Sequence, residues 1–343
     1  MARSPQYGYN HQADSKSREI FSSGQPDYGL PGKGSVSWLH KESNKTAFIY
    51  DQAGTGYSLY ADGESNQLFD FTGIHAYADK RLWDQLEREL VNLRETGTQT
   101  VNILDAGCGP GLWLRRLVVR ACELGFTTIN ARGFDIAREQ VRRARFLSKD
   151  LKTYKGVRIQ FESGDLTQPL PEQDESIDIT LCLYSVLCHL PVAYLTKVVA
   201  ELARVTRGVV ITTVRPAKSL PTVFVDSMEK AVSFQNHPES DSLDVVLDDG
   251  RNFTLDVHLF NARELETLFS EYFAVTNLLG LDLFHSRFTA DQRWLPLQQA
   301  EETMFMEHIS RLEEVFSADP DFLEYATHLL LIGKRRPLSA RYS

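Results

Sequence analysis

The chain has 343 residues, 42% of them hydrophobic and 24% charged, enough for one α/β domain with additions or for two small domains. A formal net charge of -9 and a pI near 5.5 leave no overall basic footprint for a phosphate backbone, which argues against nucleic acid as the substrate. No run approaches the ~20 apolar residues of a membrane span, and Met1-Ala2-Arg3-Ser4-Pro5-Gln6 lacks the apolar region of a signal peptide, so a cytoplasmic location without membrane contact is expected.

Residues 1–45 are rich in glycine, serine and proline, with Gly24, Pro26, Gly29, Pro31, Gly32 and Gly34 interrupting any period, and read as a mobile arm. Tyr7, Tyr9, Tyr28 and Trp38 leave open a second reading, in which the arm orders over a partner or a substrate. In the run from Phe48 to Gly63, Tyr50, Tyr57 and Tyr60 serve either as aromatic packing or as pocket lining. Arg81 to Glu95 reads as an amphipathic helix, with Leu82, Leu86, Leu90 and Leu93 about one turn apart.

Val101, Ile103 and Leu104 then give the pattern of a central parallel strand, and Leu112, Leu114, Leu117 and Val118 give helical spacing just beyond it. Between them stand Gly107, Gly109 and Gly111, which let the backbone turn tightly and let a ligand approach main-chain N–H groups at a helix start. This is a nucleotide cradle. A dinucleotide fingerprint would need glycine where Leu112 stands, and a phosphate-gripping loop would need a lysine after Gly111. Asp105 at the strand end repels phosphate but accepts from an amino group or orders water near one, so a cationic, phosphate-free nucleoside fits better.

The next strand, Thr128 to Ile136, ends in Asp135, where a bidentate carboxylate would grip a ribose hydroxyl pair. A helix follows from Ala137, on which Arg138, Arg142, Arg143 and Arg145 read as a solvated face. Val157 to Phe161 is a third strand, ending in a polar turn that contains Asp165 and Leu166. Ile177 to Leu183 is a fourth, placing Leu183, Tyr184 and Ser185 near the transferred group, with Asp178 as strand-edge polarity. Leu195, Val198, Val199 and Leu202 mark a helix, and Gly208 to Val214 a fifth strand. Residues 215–258 break the pattern: a helix over Val223 to Phe234 and short strands over Asp244 to Gly250 and Phe253 to Val257 are expected, together forming a substrate lid. Asn261 reads as the N-cap of a further helix. Phe273 to Leu281 and His328 to Gly333 are the last strands, separated by a helix over Ala300 to Phe316. Cys108, Cys122, Cys182 and Cys188 show no C-x-x-C spacing, which predicts reduced thiols and no metal site.

The segment Asp105-Ala106-Gly107-Cys108-Gly109-Pro110-Gly111 resembles motif I of the class I S-adenosylmethionine-dependent methyltransferases. Tyr50, Asp51 and Tyr57 resemble the Y-D-x-x-A-x-x-Y segment of the small-molecule members, with Gly54 at the alanine position, and Val186-Leu187-Cys188-His189-Leu190-Pro191 resembles their V-L-x-H-L-P. The resemblance spans about residues 48–335. It implies a Rossmann-like, doubly wound seven-stranded sheet with its last strand antiparallel, in a domain over 46–335 followed by a tail over 336–343. It also implies S-adenosylmethionine as cofactor and S-adenosylhomocysteine as product, held by Asp105, Gly107, Cys108, Gly109, Gly111, Asp135, Ile136, Asp165, Leu166 and Cys182. Asp165 would accept from the adenine amino group. Tyr50, Tyr57, Tyr60 and His258 would face the substrate.

Methyl transfer is an in-line substitution that needs alignment and desolvation, and a base only where the nucleophile starts protonated. His189 and Tyr184 are the catalytic candidates, with His258 and His75 as competitors for the base, and His189→Ala is expected to lower turnover more than cofactor affinity. The expected reaction is methylation of an O, N or C nucleophile of a small-molecule metabolite; a homodimer is compatible with it. Methylation of RNA or protein, cofactor sensing without turnover, and a nicotinamide-dependent oxidoreductase remain as alternatives, the last disfavoured by Leu112.

Overall fold

The structure, a computed structural model, describes residues 46–48, 50–51, 68–71, 76–219, 231–247, 250–285 and 299–336. The arm, Tyr57, Tyr60, His75 and most of the expected tail lie outside them. β1 (Thr100–Ala106) stands between β2 (Thr128–Asp135) and β4 (Ile177–Cys182) and runs parallel to both. β3 (Val157–Ser163) extends the sheet beyond β2, and β5 (Thr206–Val214) extends it beyond β4, again parallel. β10 (His328–Arg335) inserts antiparallel between β5 and β9 (Phe273–Leu281), giving the order β3-β2-β1-β4-β5-β10-β9. The antiparallel last strand is as expected from the resemblance.

Helices cover both faces, because successive strand residues point to opposite sides and both sides are apolar. On one face Leu104, Leu329 and Leu331 pack with Val198, Val199 and Leu202 of α4 (Val192–Val205) and Phe269 of α5 (Ala262–Ser270). On the other, Ile103, Leu330 and Ile332 pack with Leu82, Leu86 and Leu90 of α1 (Ala76–Glu95) and Leu114 and Leu117 of α2 (Leu112–Glu123). α3 (Arg138–Leu147) follows β2, and α6 (Gln299–Phe316) lies between β9 and β10 in the chain. Asn261 caps α5 as expected, its side chain accepting from Glu264 N at 2.8 Å within a capping box. None of the described helices is both long and apolar enough to cross a membrane.

After β5 the chain builds a second, three-stranded antiparallel sheet from β6 (Ala231–His237), β7 (Ser242–Leu247) and β8 (Asn252–Asp256). This corrects the helix expected over Val223 to Phe234 where it reaches the described residues, since Ala231 to Phe234 belongs to a strand. Val232-Ser233-Phe234-Gln235 alternates with period two, and Phe234 pairs in register with Val245. Asp178 is more than edge polarity. Its buried carboxylate takes Arg207 Nε and Nη2 at 2.7 and 2.9 Å and accepts from Asn102 N at 2.8 Å, joining β1, β4 and β5 at their amino ends. Asp178→Ala leaves that amide without its acceptor and is expected to cost about 1–3 kcal/mol, read as a lower urea midpoint at unchanged slope.

Candidate active site

The carboxyl ends of β1, β2 and β4 open into one cavity that encloses about 1780 Å³ of space, mouth included, lined among others by Asp105, Gly107, Cys108, Gly109, Asp135, Ile136, Asp165, Leu166, Tyr184 and His189. The glycine loop is held from below: Gly107 N and Cys108 N both donate to Phe134 O, at 2.8 and 2.9 Å. Gly107 has a φ of 79°, and a Cβ there would stand 2.3 Å from Val186 Cγ2, so only glycine fits.

Asp135 ties this loop to the next strand. Its Oδ2 accepts from Gly109 N at 2.8 Å and its Oδ1 from Ala137 N at 2.9 Å. Asp165 closes an Asx turn, with Oδ1 accepting from Thr167 N and Thr167 Oγ1 at 2.9 and 2.8 Å. Asp105 differs from both. It is 2% exposed and has no hydrogen-bond partner among the described residues. Burial, then the negative charge of Asp135, pushes its carboxyl up to about 8.

Two residues expected at the cofactor stand outside the cavity wall. Gly111, with φ 80°, starts α2 and faces Phe161, whose ring would be 2.6 Å from a Cβ. Cys182 points from β4 into the core, where burial and then Asp105 push its thiol far up.

At the end of β4, Tyr184 and Ser185 have φ of 50° and 68°, a left-handed turn unusual for two successive non-glycine residues. Thr213 of β5 holds it, accepting from Tyr184 N through Oγ1 at 2.6 Å and from Ser185 N through its carbonyl at 3.2 Å. The turn aims the Tyr184 ring at Trp113, stacked at 5.8 Å, and its hydroxyl donates to Asp79. His328 meets the same ring edge-on at 5.3 Å.

His189 ends a short turn over Val186–His189. Its Nδ1 lies 3.1 Å from Asp256 O, which can only accept, so Nδ1 carries the proton and Nε2 accepts from Tyr50 Oη at 3.0 Å. Burial pulls its pKa down to about 4 against the opposing Asp256 carbonyl, so the ring is neutral near pH 7. His258 is not where a substrate contact was expected. It lies outside the cavity wall, its Nδ1 and Nε2 each 2.8 Å from a carboxylate oxygen, of Asp241 and Glu264 respectively. Sequence reasoning missed Asp79, Trp113, Arg215, Asp256 and His328, all on the cavity wall. Only His328, a polar residue opening an apolar strand, carried a local signal.

Residues 103–208, which span the glycine loop and both acidic strand ends described above, match the family model for a methyltransferase domain. Residues 103–208 carry a methyltransferase domain, in the class I fold. No curated protein sequence matches the chain. Among solved structures, the magnesium protoporphyrin IX methyltransferase of Synechocystis PCC 6803 aligns in two forms. With bound S-adenosylhomocysteine the TM-score is 0.51 at 15% identity, over 86% of this chain and 100% of that one. With bound S-adenosylmethionine it is 0.50 at 13% identity, over 89% and 100%. At these identities the likeness to this methyltransferase domain is one of fold.

His258 gives the fold a pH dependence. Burial opposes its charge, but hydrogen bonds to Asp241 and Glu264 outweigh burial and raise its pKa above 6.5. Stability from this contact is therefore full below the unfolded value of about 6.5 and is lost as pH rises through the folded value. Thermal melts recorded upward from about pH 6 should show the midpoint falling, and His258→Gln should flatten that fall.

Proposed function

We propose that this chain transfers a methyl group from S-adenosylmethionine to an O, N or C nucleophile of a small-molecule metabolite. The observation that carries the reading is Asp105: a buried carboxylate without a hydrogen-bond partner among the described residues, beside a glycine loop, at a cavity with aromatic walls. That donor set fits a ligand with an ammonium group and a sulfonium. Asp105 would take the amino group, the main chain at Gly107 and Gly109 the amino-acid end, Asp135 the ribose hydroxyls, and Asp165 with Ile136 and Leu166 the adenine. Tyr184, on the cavity wall, offers an aromatic ring near which a cation gains about 0.5–2 kcal/mol. When bound, the cofactor supplies an electrophilic methyl group.

The chain's own contribution is binding, orientation and exclusion of water. The left-handed turn at Tyr184 and Ser185 sets the angle of the wall beside the glycine loop. Leu243, Leu255 and Val257 of the three-stranded insertion and its exit add an apolar side to the cavity and are themselves buried, which supports a lid role for residues 215–258 and a compact organic acceptor. The acidic overall charge also favours a metabolite over RNA.

The reaction is tested with methyl-labelled S-adenosylmethionine and extract separated into metabolites, RNA and protein. Label in the metabolite fraction is expected; label in RNA or protein overturns the small-molecule acceptor, and tight binding without transfer points to a sensor. Two binding predictions accompany it. Asp135→Ala should weaken cofactor binding tenfold or more, since each lost hydrogen bond to a charged group is worth about 1.5–3 kcal/mol; calorimetric titration reads this directly. Asp105 holds a proton below about 8 in the free protein, and an ammonium partner drives it off. Binding near neutral pH should thus release a proton, detected as a buffer-dependent enthalpy, and affinity should fall as pH drops below about 8. Asp105→Asn should remove the proton release.

A further inference from the structure

Two pieces of chain far apart in sequence contribute to the lining of the same cavity. The helical residues 46–48 and 50–51 bring Thr46 and Tyr50, and the insertion with its exit brings Leu243, Leu255, Asp256 and Val257. The first piece is docked on α3, where Asp51 Oδ1 accepts from Glu139 N at 2.9 Å and Tyr50 O accepts from Gln140 Nε2 at 3.4 Å. The second is docked on the turn after β4, where Cys188 O accepts from His258 N at 2.8 Å. One side chain touches both. The His189 ring donates through Nδ1 to Asp256 O and accepts through Nε2 from Tyr50 Oη, with the two rings edge-to-face at 5.6 Å.

The post that carries this ring is rigid. Leu187 and Cys188 are fully buried, and Cys188 N and Leu190 N donate back to Ser185 O and Leu187 O at 2.9 and 3.2 Å. We propose that His189 is a positioning residue that fastens the N-terminal cover to the insertion across the cavity, and that it is not the proton acceptor of the reaction. Both ring nitrogens are already committed, one to each cover. An acceptor molecule could reach the Nε2 lone pair only after the Tyr50 hydroxyl had left it. The link itself is a property of the free chain; its effect on turnover rests on the methyltransferase reading.

The two side-chain amides separate the arms, since asparagine places its amide near the Nδ1 position and glutamine near Nε2. Tyr50→Phe and His189→Asn each cut the Tyr50 arm, while His189→Gln keeps an acceptor for it. Hydrogen exchange on the free full-length chain should show residues 46–51 exchanging several-fold faster in Tyr50→Phe and in His189→Asn. The double variant should be no faster than either single one, and His189→Gln should return protection towards wild type. Unchanged or additive exchange overturns the link, whether or not the chain proves to be a methyltransferase. With an identified acceptor, His189→Asn should raise KM and product off-rate several-fold more than it lowers kcat. A collapse of kcat at unchanged KM, rescued in His189→Ala by added imidazole, would instead make His189 the base.

Discussion

The binding face depends on the reversal of strand order at β1. Connections from β1 run outward to β2 on one side, while β4 and β5 continue the sheet on the other. The loops leaving β1 and β4 therefore diverge, and their separation opens a crevice beyond the carboxyl ends of the strands. Two devices keep that crevice in shape. Asp135 binds the glycine loop to the end of β2 through backbone amides, and Thr213 binds the Tyr184 turn to β5.

Among the carboxylates on this crevice, the fold treats Asp105, Asp135 and Asp165 differently. Asp135 accepts from the backbone amides of Gly109 and Ala137 and Asp165 from Thr167, so they shape the walls as well as offering acceptors. Asp105 sits at the floor with burial and Asp135 both working against its charge. A buried acid in that condition is costly to the empty protein and is compensated by a cation. Any preference of this floor for a positive charge therefore rests on Asp105.

The covers above the crevice follow a different logic from its floor. The floor is built from parallel strands buried on both faces, whereas the covers rest on a few side-chain hydrogen bonds and a small antiparallel sheet. Such elements open at lower free energy than the core. His258, clamped by Asp241 of the insertion and Glu264 of α5, ties the base of the insertion to the main domain.

The sequence by itself determined the sheet, the glycine loop and the acidic ends of β1, β2 and the turn after β3, because these are local: apolar period, glycine spacing and a terminal acid lie within a few residues of each other. It also located the N-cap at Asn261. It misread Ala231 to Phe234, where a short alternating run carries too little pattern to exclude helix. Tertiary structure alone decided that Gly111 and Cys182 turn away from the cavity, that His258 is consumed by two carboxylates, and that Asp79, Trp113 and His328 gather around Tyr184. It alone brought Tyr50, His189 and Asp256 together. The reason is physical: apart from the His258 clamp, whose partners stand 17 and 6 positions away, these contacts join residues separated by dozens to more than a hundred positions, and only the folding of the sheet and its covers sets their distances.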